Sequence, residues 1–466
     1  MISLFLPRLK GPAASVSLAL LLTACATPPV YEKPATAVPA AFKESGLWKP
    51  ASAGAADVPD NWWELFKDPV LNDLQAGVKL GNENLKASAA QVQVARAALA
   101  SARAGGSPAL GISGGITHGA SVGGATPATV NSLAASASWE LDLWGRVAAA
   151  SSGAQARLEA SSADLAAARL SLQGVLAQSY FALRSSEAQA ALLERSVVAF
   201  QRSLELTNNR YSAGIVSAAD VAQATTQLRS TQAQLIESKA SRAQLEHAIA
   251  TLLGKAPADF DLPRTALLPP VPGVPAQLPA QLLERRPDIA AASARVAAAN
   301  AQAGVAQGAF FPAITLSGSA GFRGADLLNL ISLPNLFWSL GPSLAIGLFD
   351  GGARQAGVDL ARAGIEQATA NYRQTVLSAF QEVEDNLVAA ASLEEQIVLQ
   401  SDALKAAERS LDIANNQYKA GIVSYLNVVT AQASALSSER ALLDLRNRRL
   451  VATAQLLKNS GGRWEK

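Results

Sequence analysis

Residue types able to do covalent or redox chemistry are few and scattered in this 466-residue chain. Cys25 is the only cysteine, so no disulfide can form within the chain and its thiol is the one soft nucleophile. The two histidines, His118 and His247, lie far apart and fall in different expected elements. Without a cysteine cluster or an HExxH pattern they give a transition-metal site little support. No GxSxG elbow, Walker loop or dinucleotide fingerprint occurs, so no hydrolytic, nucleotide-driven or cofactor chemistry is indicated. Glu284, Arg285, Arg286 and Asp288 surround Pro287, which suits the first turn of a helix, and the group reads as a local ion-pair network rather than a catalytic pair. Asp220 follows Ser217 at capping-box spacing. A carboxylate there caps the helix that follows.

The residues before Cys25 give its thiol a task. Arg8 and Lys10 form a short basic region, Val16 to Leu22 an apolar stretch, and Leu22-Thr23-Ala24-Cys25 resembles the lipobox of bacterial lipoproteins. In such signals the small residues fit a peptidase and the cysteine takes the lipid. Residues 1–24 are therefore expected to be removed, leaving Cys25 with a diacylglycerol and an N-acyl (palmitate) chain as the only attached groups. The alternative is an ordinary cleaved signal with an incidental cysteine. Ala26 follows, where an aspartate would suggest inner-membrane retention, so the pattern resembles an outer-membrane lipoprotein. No later segment supplies the roughly 20 unbroken apolar residues of a spanning helix. A mature chain that crosses a bilayer must then use strands.

Composition narrows the class further. Hydrophobic residues make up 49% and aromatics only 5%, an alanine- and leucine-rich balance that suits long close-packed helices. With 39 basic and 37 acidic residues the net charge is +2, and no dense basic run invites nucleic acid. The chain also repeats itself. SLELTNNRYSAGIVS at 203–217 recurs as SLDIANNQYKAGIVS at 410–424, and PALGISG at 108–114 as PAITLSG at 312–318. A Pro-rich tract from Pro257 to Pro279 can join helical units but cannot continue either of them. The expected organisation is an anchor and extended linker over 25–60, a first repeat over 61–256, a linker over 257–280 and a second repeat over 281–466.

Hydrophobic period separates strands from helices inside each repeat. Ile314, Leu316, Gly318, Ala320 and Phe322 alternate with small polar residues, and the same period predicts strands over about 108–118, 133–143, 312–322 and 338–349. Each is near the length a tilted strand needs to cross a bilayer, with Trp139, Trp144, Phe322, Trp338 and Phe349 towards the ends. A soluble sandwich with one buried face has the same alternation. The Gly-rich segment Gly119 to Ser132 and the segment Arg323 to Asn335 read as exposed turns between paired strands. After each strand pair the period becomes seven: Leu176, Leu183, Ala190, Val197, Leu204 and Tyr211 step by heptads, as do Val383 to Tyr418 in the second copy and Val429 to Leu457 on its return. This predicts long helices over about 146–211, 217–254, 352–418 and 424–458, with shorter ones at 83–104 and 287–309. Residues 146–211 alone would span about 99 Å.

Four strands per chain cannot close on themselves. Open edges in hydrocarbon leave backbone groups unpaired at several kcal/mol each, so a membrane reading requires several chains to share one barrel. Eight strands already close, but side chains fill the interior; a usable pore favours at least three subunits and twelve strands, while the count alone leaves a dimer open.

The segment from Leu278 to Gly318, LPAQLLERRPDIAAASARVAAANAQAGVAQGAFFPAITLSG, closely resembles the hallmark stretch of outer-membrane factors of the TolC and OprM type, in their lipoprotein branch. The strand-to-helix joints at Ser138 to Val147 and Gly347 to Ala356, the two Tyr-x-x-Gly-x-x-Ser tips and the closing Gly-Gly-x-Trp at Gly461 to Trp464 are similar to the same family. The resemblance implies a mixed α and β fold: a homotrimer with a twelve-stranded outer-membrane barrel continued by a long periplasmic α-helical barrel. It implies a passive exit duct for drugs or toxic compounds, working with a periplasmic adaptor and a proton-driven inner-membrane pump. It also places Arg210, Tyr211, Gly214 and Ser217 at one adaptor-contacting tip, and Tyr418, Gly421 and Ser424 at the other. Some members carry acidic rings near the second tip. Here Asn427 and Thr430 stand in those positions, which leaves Asp220 and Asn427 as candidate entrance-constriction residues. A type I protein secretion duct shares this architecture, and a periplasmic scaffold lipoprotein that does not span the membrane is the alternative outside it. A lipid-anchored hydrolase lacks any catalytic constellation.

Overall fold

The computed structural model describes residues 35, 43, 61–120, 126–273 and 286–460; Cys25 with its signal, Glu284, Arg285 and Gly461 to Trp464 lie outside the described residues. The chain divides into two compact units, one built from Gln91–Ser162 and Ala291–Arg373, the other from Ala163–Ala290, Gln374–Lys466 and the segment within Thr36–Ala90.

The helical elements follow local rules. Helix α1 (Pro69–Gly81) starts with Pro69 behind an Asp68 cap whose carboxylate accepts from the amides of Val70 at 3.0 Å and Leu71 at 3.2 Å. Helix α2 (Glu83–Ala104) leads to strands β1 (Ala109–Gly119) and β2 (Ala128–Glu140). Helix α3 (Arg146–Ser212) is 67 residues long and returns as α4 (Ala218–Leu252). After the linker, α5 (Pro287–Gly308), β3 (Ala313–Gly324), β4 (Leu336–Ala345), α6 (Ala353–Lys419) and α7 (Tyr425–Ser460) repeat the order, and α6 is again 67 residues long. Both hairpins stop in the same way. Gly214 and Gly421 adopt φ of +72° and +76°, and the amides of Ile215 and Ile422 reach back to the carbonyls of Arg210 and Gln417 at 2.9 Å.

In the first unit, the four strands form one antiparallel sheet in the order β1-β2-β3-β4. Two boundaries differ from those read in the periodicity. β2 covers 128–140 rather than 133–143: Ala128 and Val130 fall out of phase with Leu133 and Ala135, which breaks the apolar period, but Ala128 to Ser132 pair with Gly119 to Gly115 of β1. Its lower end is set by Asp142, whose carboxylate accepts from the amides of Val147 (2.9 Å) and Ala148 (2.7 Å) and so draws the chain out of the ladder to cap α3. β4 covers 336–345 rather than 338–349 for the same reason. Asp350 accepts from the amides of Gly352 and Arg354 and the side chain of Arg354, which also donates to the carbonyl of Gly347. The connections are correspondingly shorter than Gly119 to Ser132 and Arg323 to Asn335, because β2 and β3 each extend into them.

The second unit holds the main core. Trp62, Phe66, Leu71, Phe181, Leu183 and Leu457 are among its fully buried members, drawn from a 3₁₀ turn at Trp62–Phe66, α1, α3 and α7. The heptad positions Leu176, Leu183, Val383, Leu450 and Leu457 are buried as the seven-residue period requires, whereas Tyr211, at the end of α3, is half exposed.

Candidate functional site

The tips of the helical hairpins in the second unit bring part of the expected set together. Arg210, in the last turn of α3, donates to the carbonyls of Tyr418 (2.7 Å) and Lys419 (2.8 Å), and its guanidinium lies 4.6 Å over the Tyr418 ring. Those carbonyls end α6, where only that of Tyr418 has a backbone donor, the Gly421 amide at 3.0 Å, so the arginine of one hairpin completes the cap of the other and opposes its dipole. Tyr418 meets Tyr425 edge-to-face at 5.3 Å, and the Tyr425 and Ser203 hydroxyls hydrogen-bond at 3.0 Å. Burial raises the Tyr425 pKa, the Ser203 hydrogen bond opposing it. Tyr211, Gly214, Ser217, Gly421 and Ser424 are exposed around this contact. Asp220 is committed locally: its carboxylate accepts from the amide and hydroxyl of Ser217, both at 2.9 Å, while its own amide donates to Ser217 Oγ, completing the capping box. Asn427 is exposed.

Arg210→Ala is expected to free the Lys419 carbonyl and one ring face and to leave the Tyr418 carbonyl with the Gly421 amide alone, loosening the tips by about 2 kcal/mol on the scale of charged hydrogen bonds. Hydrogen exchange should then accelerate at residues 205–216 and 411–424 with little change in global melting; unchanged exchange there would deny Arg210 this role.

The sheet of the first unit has two chemically distinct faces. One carries Leu110, Ile112, Leu133, Trp338, Leu340 and Leu344; Leu110 and Ile112 are 83% and 84% exposed, and Trp338 is 76% exposed. The opposite face is almost entirely Gly, Ala, Ser and Thr, with rows such as Ser136–Ser319–Ser339 running across three strands. Ser319 and Ser339 are hydrogen-bonded at 2.8 Å. At the lower end of that face Glu140 is held by Arg146 through contacts of 2.8 and 2.6 Å, and the Glu140 hydrogen bond outweighs desolvation to raise the Arg146 pKa. Trp144 stacks on Phe311 at 5.0 Å and donates to the carbonyl of Pro312.

One polar constellation in the second unit escaped the sequence reading. Glu187 is 6% exposed and accepts from Arg184 (2.7 Å), Arg242 (3.0 Å) and the amide of Thr265 (3.2 Å). Arg184 also donates to the Tyr180 hydroxyl and the carbonyl of Pro263, and Tyr180 donates to Asp68 at 2.6 Å. Arg242 reaches Glu246 and the carbonyl of Leu262. Burial opposes the charge on both arginines, yet their hydrogen bonds to Tyr180, Glu187 and Glu246 raise their pKa values. The network fastens the linker between the repeats to α3, α4 and the start of α1. Its only sequence signals are Arg184/Glu187 and Arg242/Glu246 at helical spacing, which an exposed surface pair shares.

The expected network around Pro287 is present in its described part: Arg286 pairs with Asp288 at 2.7 Å and with Glu382 at 3.0 Å. His118 contacts the Thr129 hydroxyl on the neighbouring strand, and His247 is exposed on α4. Among the described residues no group of three or more His, Cys, Asp or Glu could hold a metal, and no helix is long and apolar enough to cross a membrane.

Known proteins share this arrangement. The family model described as outer membrane efflux protein matches residues 78–255 and 278–462. The probable efflux pump outer membrane protein TtgC of Pseudomonas putida is 30% identical over 456 residues, covering 96% of this chain and 94% of that protein. The cation efflux system protein CusC of Escherichia coli is 31% identical, covering 96% and 97%. Among solved structures, the outer-membrane channel OprN superposes with a TM-score of 0.88 at 29% identity, covering 94% of this chain and 99% of that one. A family match over both repeats, together with near-full-length relatives at 30% identity or above, places the chain in the outer membrane efflux protein family.

Proposed function

We propose that this chain is one subunit of a homotrimeric exit duct through which a tripartite efflux pump passes small molecules across the periplasm and outer membrane. The two-faced sheet carries the reading. Its exposed leucine and tryptophan face has the chemistry of a lipid boundary, and its Gly, Ala, Ser and Thr face that of a water-filled interior. Four strands leave two open edges, which neighbouring copies would close into a twelve-stranded barrel. The long helices of two tandem structural repeats, both 67 residues in their outgoing arm, would line the periplasmic tube. Lipid on Cys25 acts as a supplementary tether to the outer membrane. The exposed tip residues Tyr211, Gly214, Ser217, Gly421 and Ser424 meet a periplasmic adaptor, with Arg210 and Tyr418 holding the tips in shape, and Asp220 and Asn427 line the entrance. A proton-driven inner-membrane pump supplies the energy, and the duct itself performs no covalent chemistry. Efflux names among the relatives favour small solutes or ions over secreted proteins as cargo.

Single-channel recording of the purified protein in planar bilayers tests this. Discrete, long-lived conductance steps are expected. A pure oligomer that never conducts, at any voltage or after loosening the tips with Arg210→Ala, would sink the duct reading.

A further inference from the structure

We infer that Arg323 and Phe337 form a selectivity ring at the outer end of the barrel interior, favouring anionic and aromatic solutes at the exit; this rests on the duct reading above. Strand register puts both side chains on the small-residue face. Arg323 shares its face with Thr315, Ser317 and Ser319, and Phe337 with Ser339 and Ser343. The guanidinium carbon lies 5.2 Å from the centre of the Phe337 ring, within cation–π range.

Three observations make this pair stand out. First, size: the other strand residues of that face are Gly, Ala, Ser, Thr, Val130 and Glu140, so the Arg323–Phe337 pair is the one bulky pair away from the lower end. Second, charge: Glu140 is neutralised by Arg146, leaving Arg323 as the unopposed charge on this face among the described residues. Asp326, the nearest acid along the chain, lies beyond the strand, and its oxygens accept from the Leu328 amide (3.0 Å) and the Asn329 side chain (2.7 Å) of its own loop. Third, position: Arg323 is next to last in β3, at the end of the sheet opposite the joints to the helices. Three copies would set three guanidiniums around one opening, and a low-dielectric wall focuses their field on whatever passes. Arg323 stays exposed with one face of its guanidinium against the Phe337 ring, so its outward donors remain available to a carboxylate, sulfonate or phosphate group.

Reversal potentials of the full-length protein in a potassium chloride gradient test the inference. Wild type is expected to pass chloride in preference to potassium. Arg323→Gln should lower the chloride-to-potassium permeability ratio several-fold, Arg323→Lys should largely keep it, and Arg323→Glu should invert it. Unchanged reversal potentials in Arg323→Gln and Arg323→Glu, with normal conductance, would overturn the ring and leave the duct intact. Absence of conductance in wild type would instead overturn the duct reading, and the ring with it. As a second readout, benzenesulfonate added on the outer side should block wild type at lower concentration than Arg323→Gln or Phe337→Ala; equal block would count against the ring.

Discussion

Glu187→Ala is expected to lower stability by about 3–5 kcal/mol, the range for breaking a buried ion pair by removing one partner. Two guanidiniums would lose their shared carboxylate, and neither can discharge, because arginine does not deprotonate at accessible pH. Arg184 would keep the Tyr180 hydroxyl and the Pro263 carbonyl, and Arg242 would keep Glu246 and the Leu262 carbonyl. The Thr265 amide would lose its acceptor as well. The linker over 262–265 should therefore detach first, seen as faster proteolysis and hydrogen exchange there before global melting. Glu187→Gln, which retains an acceptor without the charge, should lose less. A melting temperature in detergent that does not move in Glu187→Ala would show that the network carries no net stability.

Gly254→Ala should be comparably damaging through backbone geometry alone. Gly254 has φ +69°, and a Cβ there would stand 2.1 Å from the Gly81 carbonyl oxygen. The contact is reciprocal: a Cβ at Gly81 would stand 2.0 Å from the carbonyl oxygen of Leu253. Asn82 bridges the same place by donating to the Leu252 carbonyl at 2.8 Å. The ends of α1 and α4 thus meet backbone to backbone, and neither side offers a flexible atom to move aside. The left-handed φ costs about 1–3 kcal/mol for a residue with a side chain, before the clash is counted. Thermal unfolding should show a loss of at least about 3 kcal/mol for Gly254→Ala. By contrast, Gly357→Ala in α6 meets open space and should be neutral or slightly stabilising through helix propensity. Similar losses for the two variants would refute the packing explanation.

These two sites also mark what the sequence could and could not reveal. The heptads of α3 and α6, their glycine stops and the Ser217–Asp220 cap are local patterns, and the helices they predict end within one or two residues of those observed. Strands were legible where apolar and small residues alternate, as at Ile314 to Phe322. They were not where the apolar phase flips within one strand and pairing with a neighbour carries it through, as at Ala128 to Ser132 of β2. Asp142 and Asp350 end their strands by capping the next helix, a competition that no period records. The Glu187 network, the Gly81–Gly254 contact and the arm of Arg210 reaching α6 join residues far apart in the chain. In one sequence each looks like an ordinary surface charge or turn glycine.

The proposed duct requires that other copies of the chain close the open edges β1 and β4. Disulfide trapping tests it most directly, with one cysteine at Ser113 on β1 and partners scanned along β4 at Phe337, Ser339, Gly341 and Ser343. All five share the small-residue face, and single-cysteine variants control for Cys25. One register should cross-link efficiently in membranes and give a non-reducing ladder that ends at the trimer. A ladder ending at the dimer, or only monomer in every register, would contradict the shared barrel.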